Sequence, residues 1–436
     1  MKLIERDDEL TLLGRQLWMA ETKSSRMTLL SGPHGCGKTA LAAEAYRDKP
    51  LLYFRMGRKT PALLTADWVA QAEALLGASV PGNAHSVPGL VDYLMYLSEK
   101  EPFTLILDEC QLLPLKDFSE IRDCWRQRRN KTHLNLVLLC SSRKRTEELT
   151  AHDHSPLVGL LDLHLEMGPL KVEALKAHLG LAGEDLLTAF MVTGAMPYRT
   201  AWLKEAGCRT RQEILDFYFS EDSPFLRDGE QLLCRVLGKN SEVYLSILQS
   251  IAQGAVSQSE MEDRLGGVII GGHLAKLETE YELIRKTRPM LAGPASRGVV
   301  RYEIADPALR FWLRHVEARR AEYELGRLDR MKAAAAADFA ISAHGALREW
   351  FLRKFREESG YRELGGEWSS VHAGDAGPEI DIIGFPPRAR KALVCDVELR
   401  AEDFKKEPFL GKVASLRKGP LKEYAVDARL FTLADM

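Results

Sequence analysis

The fold of this chain is decided by Met27-Thr-Leu-Leu-Ser-Gly32-Pro33-His34-Gly35-Cys36-Gly37-Lys38-Thr39-Ala40-Leu41. The first residues predict a short apolar strand, the glycines a turn, and the residues after Lys38 a helix. The spacing from Gly32 to Thr39 is G-x-x-x-x-G-K-S/T, the Walker A pattern of a phosphate-binding loop. An ordinary glycine turn before a helix is the alternative. The strand before, the helix after and an acidic partner later in the chain favour nucleotide binding.

The glycine-rich loop predicts where a nucleotide binds. Glycines let the backbone curl so that successive N–H groups point at phosphate oxygens, and the positive end of the following helix adds to that attraction. We expect Lys38 to reach the β- and γ-phosphates and the Thr39 hydroxyl to hold Mg²⁺. The predicted nucleotide-binding residues are Gly32, Pro33, His34, Gly35, Cys36, Gly37, Lys38, Thr39 and Ala40.

A second anchor is the apolar run Phe103-Thr-Leu-Ile-Leu-Asp108-Glu109. Such a run ending in acids, a Walker B pattern, is typical of a buried parallel strand that delivers carboxylates to the carboxyl edge of a sheet. We expect Asp108 to hold Mg²⁺ through water, opposite Thr39, and Glu109 to activate the attacking water as a general base. A chance acidic pair is the alternative, which the preceding phosphate-binding loop disfavours.

A third buried strand, Leu134 to Cys140, ends in hydroxyls. Ser141 is a catalytic candidate that would sense the γ-phosphate or orient water, and a plain helix cap or turn is the alternative. The basic stretch from Arg122 to Lys131 favours a solvated helix face over a contact with a polyanion or with a neighbour's nucleotide. No arginine is assigned as a finger.

Composition limits the classes of function. The chain has 436 residues, 45% hydrophobic and 28% charged, with a formal net charge of −2, so any contact with nucleic acid must be a local patch. Seven cysteines without metal-type pairs favour a reducing compartment. The N-terminal MKLIERDDEL lacks the apolar core of a secretion signal, and no apolar run approaches a membrane span. These features predict a cytoplasmic protein without a membrane partner.

The middle of the chain predicts two helical modules. Leu170 to Leu237 is nearly all helical and predicts a lid, interrupted by the rigid turn Gly194-Ala-Met-Pro197-Tyr198. Tyr244 to Pro307 predicts a winged helix, with three helices and two wing strands. Its recognition helix is poor in basic residues, which favours a packing or regulatory module over a sequence-specific DNA reader. Phosphate contacts are more plausible on the wing, through Arg285, Lys286, Arg288, Arg297 and Arg301.

The last part of the chain predicts a helical connection and an α/β tail. Asp306 opens what the pattern predicts as one long charged helix to about Arg330, and Ala333 to Ala337 continues as helix or linker. The tail has the layout of a PD-(D/E)xK nuclease core, in which Glu349, Asp381 and Asp396 would hold a second metal. Glu398 stands where such a core has lysine, and its negative charge repels the scissile phosphate. This favours a degenerate, structural tail over an active nuclease, in which Lys391 or Arg400 would have to supply the positive charge from elsewhere.

Nearly end to end, the chain resembles the archaeal-type P-loop ATPases of the STAND class, which are related to AAA+ proteins. The resemblance rests on Arg6 with Glu9, Gly32 to Thr39, Leu107-Asp108-Glu109, Ser141-Ser142, Gly194-x-x-Pro197-Tyr198, Tyr244-x-x-Ile247-Leu-x-x-Ile251-Ala-x-Gly254, Tyr302-x-Ile-x-Asp306-Pro-x-Leu-Arg310-Phe-Trp312, and the tail acids Glu349, Asp381 and Asp396. Two departures are Gly194-Ala195, where the family usually has Gly-Gly, and Glu398, where its active tails carry lysine.

The resemblance implies an α/β fold and ATP with Mg²⁺, with Arg6 and Pro197 near the adenine and ribose. It implies an ASCE-type parallel sheet, with a catalytic strand inserted beside the phosphate-loop strand. The predicted domains are a P-loop ATPase domain (1–168), a helical lid (169–240), a winged helix (241–307), a helical linker (308–340) and a degenerate nuclease-like domain (341–436).

The function expected from these features is a slow ATPase that acts as a molecular switch, coupling nucleotide state to the winged helix and tail and through them to a protein or DNA partner. One alternative is an ATP-gated, metal-dependent DNA nuclease, which Glu398 argues against. Another is a non-catalytic DNA-binding regulator that uses ATP only as a ligand, which Glu109 argues against.

Overall fold

The computed structural model describes residues 3–57, 59–77, 79–238, 242–291, 300–358, 360–368, 379–387 and 389–436. The chain forms two compact units, Met1–Pro169 and Leu170–Met436. Within the described ranges, no helix combines the length and the apolar character needed to cross a lipid bilayer.

The first unit is built around a parallel sheet. In its described part the sheet has five strands in the order β2-β3-β4-β1-β5. Every neighbouring pair runs parallel, and β4 lies between β1, which leads into the phosphate-binding loop, and β3, which ends at Asp108. The strands are β1 (Arg26–Ser31), β2 (Leu51–Arg55), β3 (Phe103–Asp108), β4 (Leu134–Cys140) and β5 (Leu163–Glu166).

Helices cover both faces of this sheet, which explains why β3 and β4 are apolar without alternation and buried along their whole length. Leu13, Leu41 and Tyr46 pack on one face, and Trp68 and Trp125 belong to the cluster on the other. The helices are α1 (Asp7–Thr22), α2 (Lys38–Ala45), α3 (Pro61–Leu76), α4 (Val87–Leu97), α5 (Leu115–Arg128) and α6 (Arg143–Thr150). The parallel α/β fold expected for this part of the chain is confirmed.

The second unit begins with helices alone. They are α7 (Val172–Leu179), α8 (Gly183–Thr193), α9 (Pro197–Glu205), α10 (Arg211–Tyr218) and α11 (Phe225–Leu237). Three more helices and an antiparallel strand pair follow, namely α12 (Glu242–Ala252), α13 (Gln258–Arg264), α14 (Gly271–Thr279), β6 (Ile284–Thr287) and β7 (Arg301–Ile304). Arg297, one of the predicted wing residues, lies outside the described residues.

The prediction of one long helix from Asp306 to about Arg330 is wrong. Helix α15 (Pro307–His315) ends before the buried Val316, and the chain continues as a 3-10 turn and the short α16 (Arg320–Glu324). Gly326 then adopts a left-handed conformation (φ 65°) that terminates the segment. Val316 is 0% exposed and leaves the helical path with a φ of −107° and a ψ of −61°, so a buried residue stands at the break. Two further helices follow, α17 (Leu328–Ala337) and α18 (Phe339–Glu357).

The tail contains a mixed sheet. In the described residues it has four strands in the order β11-β10-β9-β8, with β10 and β11 parallel and the other pairs antiparallel. Ile380, Ile383 and Val394 pack against Phe409 and Val413 of the last helix. The elements are β8 (Glu363–Glu367), β9 (Ile380–Phe385), β10 (Lys391–Val397), α19 (Lys406–Lys418) and β11 (Ala425–Phe431).

Candidate nucleotide site and the tail acids

The loop between β1 and α2 has a backbone that only glycine adopts easily. Gly32, Gly35 and Gly37 have φ angles of 143°, 84° and 95°. A Cβ atom on Gly32 would lie 1.9 Å from the carbonyl oxygen of Met167, so no side chain fits there. The sequence pattern is therefore required by the conformation of the loop, which curls over the N-terminus of α2 as a phosphate-binding loop does.

Lys38 is buried at the first position of α2, with 6% of its surface exposed. Its ammonium group donates hydrogen bonds to the carbonyl oxygens of Gly32 (2.7 Å) and Pro33 (2.9 Å) and lies 3.8 Å from the Sγ atom of Cys36. These acceptors are uncharged, so they leave the positive charge of the Lys38 ammonium uncompensated. Phosphate oxygens would supply the compensating negative charge, and the donors of this loop therefore fit a nucleotide.

Asp108 is brought to Thr39 at the carboxyl edge of the sheet. The Thr39 hydroxyl donates to Oδ2 of Asp108 at 3.0 Å, and the N–H of Glu109 donates to Oδ1 at 2.8 Å. Tyr53 donates its phenolic proton to the same Oδ2 atom. Burial, together with the hydrogen bond and charge of Asp108, raises the pKa of Tyr53. Hydroxyl and carboxylate oxygens are the hard ligands that Mg²⁺ prefers, so Thr39 and Asp108 fit the predicted metal.

Glu109 follows directly in a left-handed conformation (φ 57°). Its Oε1 atom lies 3.5 Å from Nδ1 of His34, in the phosphate-binding loop. Its Oε2 atom accepts a hydrogen bond from the side-chain amide of Gln111. The structure thus brings the predicted base, one loop residue and Gln111 together.

At the end of β4, the main chain of Ser141 contributes a hydrogen bond to the candidate site. The N–H of Ser141 donates to Oε1 of Gln111 at 3.0 Å, while the neighbouring Ser142 caps α6 by accepting a hydrogen bond from the N–H of Arg145. Tyr53 and Gln111 are functional candidates that the sequence reasoning missed. Gln111 stands two residues after Glu109, and that short spacing is a signal that could have found it.

Arg6 and Pro197, assigned by resemblance, lie in different units. Arg6 pairs with Glu9 at 2.8 Å and donates to the carbonyl oxygen of Gly168 at 2.9 Å, so its guanidinium lies near the last residues of the first unit. Pro197 is the first residue of α9 in the second unit. In the basic stretch from Arg122 to Lys131, Arg128 pairs with Asp92.

In the tail, Glu349 lies in a cluster of arginines. Its carboxylate accepts hydrogen bonds from Arg285 at 2.8 and 2.7 Å and from Arg353 at 2.9 Å. Burial opposes the charged form, but the two arginines outweigh it and hold the pKa of Glu349 at about 2. Arg301, another predicted wing residue, pairs with Glu379 at 2.5 Å. Two of the predicted phosphate contacts are thus bonded to acids of the tail.

Asp381 and Asp396 lie on the neighbouring strands β9 and β10. Asp381 accepts a hydrogen bond from the N–H of Val397 at 2.9 Å, and its carboxylate lies 3.5 Å from Nε2 of His344. Burial, with Asp381 and Glu398 nearby, raises the pKa of Asp396 to about 6. Across the described ranges, no three His, Cys, Asp or Glu side chains are placed so that they could hold a metal ion.

Comparison with known proteins gives one informative likeness. No protein-family model matches the chain, and no curated protein matches it. Among solved structures, the chain is similar to the Walker-type ATPase PABY2304 of Pyrococcus abyssi, with a TM-score of 0.51, 19% identity, and coverage of 72% of this chain and 96% of that one. A second neighbour is the ORC2 protein of Aeropyrum pernix, solved as ADPNP–ADP complexes (TM-score 0.48, 14% identity, 77% and 96% covered).

The sheet order, the glycine conformations of the loop and the Thr39–Asp108 hydrogen bond agree with the first of these similarities. At 19% identity the likeness concerns the fold alone. The first unit has the fold of a P-loop ATPase domain.

Proposed function

We propose that the protein binds ATP with Mg²⁺ and hydrolyses it slowly. The observation that supports this best is the contact of Thr39 with Asp108 beside the buried ammonium of Lys38. In this proposal Lys38 and the loop N–H groups bind the phosphates, Thr39 and Asp108 hold the metal, and Glu109 accepts the proton of the attacking water. Bound Mg²⁺ would offset the charge of the phosphates. Arg6 and Pro197 are proposed to contact the adenine and ribose.

The test separates binding from turnover. Lys38→Ala is expected to abolish binding of a fluorescent ATP analogue, whereas Lys49→Ala, on an exposed lysine outside the loop, should bind normally. Glu109→Gln is expected to bind ATP and release no phosphate, while Glu101→Gln, at an exposed position, should turn over as wild type. Unchanged affinity in Lys38→Ala would refute the nucleotide site, and persistent hydrolysis in Glu109→Gln would remove that residue as the base.

We further propose that α7–α11 act as a lid, that α12–α14 with β6 and β7 form a winged helix, and that the tail is a degenerate nuclease-like domain. The ion pairs of Glu349 support a structural role for that acid, since arginines already bind both of its carboxylate oxygens. Arg285 and Arg301 form ion pairs with acids of the tail, and this supports a regulatory module over a DNA reader. Hydrolysis would then reset the position of these modules for a protein partner.

Plasmid DNA tests the tail directly. The protein is incubated with supercoiled plasmid, Mg²⁺ or Mn²⁺, and with or without ATP, beside an Asp381→Ala variant. We expect no nicking while ATP is turned over. Nicking that requires Asp381 would overturn the proposed role of the tail and make the protein an ATP-gated nuclease.

A further inference from the structure

Gln111 connects two parts of the candidate site that are far apart in the chain. Its amide nitrogen donates to Oε2 of Glu109, and its amide oxygen accepts from the N–H of Ser141 at 3.0 Å. Its own carbonyl oxygen accepts a hydrogen bond from Nε of Arg145 at 3.2 Å. Gln111 therefore links the predicted base at the end of β3 to the end of β4 and the start of α6.

These contacts fix the orientation of the amide. A carboxylate only accepts hydrogen bonds and a main-chain N–H only donates, so a single orientation of the Gln111 amide satisfies both neighbours. A residue that carried only an acceptor or only a donor would satisfy one of them. The hydrogen bond from the Arg145 side chain to the main-chain carbonyl of Gln111 holds the backbone of Gln111 in place, so its side chain reaches Glu109 from an anchored position.

The position of Glu109 makes this contact relevant to chemistry. Glu109 is the first residue beyond β3 and has a left-handed backbone, so the extended geometry of the strand does not set the direction of its carboxylate. Oε1 of the carboxylate faces His34 of the phosphate-binding loop at 3.5 Å, and Oε2 is bound by Gln111. The carboxylate is thus held between the loop and the Gln111 amide.

We propose that Gln111 is a positioning residue that orients the carboxylate of Glu109 towards the attacking water. Through its bond to Ser141, it also couples the direction of that carboxylate to the position of the end of β4. The inference rests on the proposed ATPase function and names a residue that acts through Glu109. A carboxylate held in one direction avoids the loss of rate that follows from a misplaced base.

The test uses two variants of nearly the same shape as glutamine. Gln111→Met removes both hydrogen bonds, and Gln111→Glu places a second carboxylate beside Glu109. For Gln111→Met we expect kcat to fall roughly tenfold with KM within about twofold of wild type. For Gln111→Glu we expect a larger fall in kcat, again with KM within about twofold of wild type, because the two carboxylates repel each other. Gln127→Met, on the exposed side of α5, is the matched control and should match wild type.

The outcomes separate this inference from the function on which it rests. Wild-type protein that does not hydrolyse ATP would refute the proposed function and the inference with it. Wild-type turnover that depends on Glu109, with kcat unchanged in both Gln111 variants, would refute the inference alone. A parallel loss of ATP affinity in both variants would also refute it, since that result indicates general distortion rather than positioning of the base.

Discussion

The guanidinium of Arg285 binds both carboxylate oxygens of Glu349, at 2.8 and 2.7 Å. The first residue lies on β6 and the second on α18, so the predicted wing and the predicted tail share one buried ion pair within the second unit. Arg348 on the same helix also pairs with Glu303 on β7. Each of the two parts therefore contributes one arginine and one acid to the ion pairs that join them.

Replacing Glu349 is expected to destabilise the second unit. Glu349→Gln leaves Arg285 and Arg353 without their anion, and losing one partner of a buried pair costs about 3 kcal/mol. The pKa of Glu349 is about 2 in the folded protein, against an ordinary value of 4.5. The stabilisation is therefore present above about pH 4.5 and is lost as the pH falls towards 2.

Denaturant titrations at several pH values measure this effect. The difference in unfolding free energy between wild type and Glu349→Gln should shrink on acidification through that range. Glu358→Gln, at an exposed position just past the same helix, is the control. Equal stability of the two variants at pH 7 would contradict the structural role of Glu349.

The ionisation of Asp396 is expected to lower the stability of the folded protein, whereas that of Glu349 raises it. Its pKa is raised from 3.8 to about 6, so the folded state binds a proton that the unfolded state has released between these values. Wild-type stability should fall as the pH rises from about 4 to 6, and Asp396→Asn should remove this loss. After allowance for solvent screening, we expect the variant to be about 1 kcal/mol more stable at pH 7 and equal to wild type below pH 4.

Thermal unfolding across pH checks the Asp396 prediction, with Asp222→Asn at an exposed position as the control. A variant that is less stable than wild type at pH 7 would mean that the charge of Asp396 is stabilised, as by a bound cation. The same measurement with added Mn²⁺ would then show whether wild type gains stability that the variant does not.

Gly194 is expected to tolerate no side chain. It has a left-handed φ of 61°, and a Cβ there would lie 2.2 Å from Oδ1 of Asp306. Asp306 cannot move freely, because it pairs with the buried Arg199 at 2.6 Å and caps α15 through the N–H of Ala308. We therefore expect Gly194→Ala to lower the unfolding free energy by about 3 kcal/mol more than backbone strain alone.

Gly180→Ala isolates the backbone strain. Gly180 ends α7 with a similar φ of 69°, and no atom lies within 4 Å of a Cβ built there. This variant should lose only about 1 kcal/mol, the cost of a left-handed alanine. Chemical denaturation compares the two directly, and equal losses would show that Asp306 gives way.

Tyr53 is expected to affect the metal dependence of turnover. Its phenol and the Thr39 hydroxyl both bind Oδ2 of Asp108, so Tyr53→Phe leaves that carboxylate less firmly oriented. We expect the Mg²⁺ concentration for half-maximal hydrolysis to rise roughly tenfold, with binding of metal-free nucleotide unchanged. Tyr93→Phe, whose phenol lies 3.5 Å from the carbonyl oxygen of Ser79, is the control. An unchanged Mg²⁺ requirement would assign Tyr53 to packing alone.

Elements with a strong local pattern could be predicted from the sequence. The strands ending at Asp108 and Cys140 are continuous apolar runs, and the α2 helix follows its glycine loop directly, so neighbouring residues suffice to identify them. The break after His315 could not be predicted in this way. Residues 308 to 325 contain no glycine or proline that would mark a break, yet α15 ends at His315 and the next residue, Val316, is buried.

The sequence by itself determined the phosphate-binding loop, the acidic strand end and the parallel sheet, because glycine spacing and apolar runs act over a few residues. Only the tertiary structure decided which side chains meet at the site. It placed Tyr53 on Asp108 through the pairing of β2 with β3, and it joined Gln111 to Ser141 across β3 and β4. It also turned Glu349 towards arginines. Such contacts depend on strand order and packing between distant segments, which no local pattern encodes.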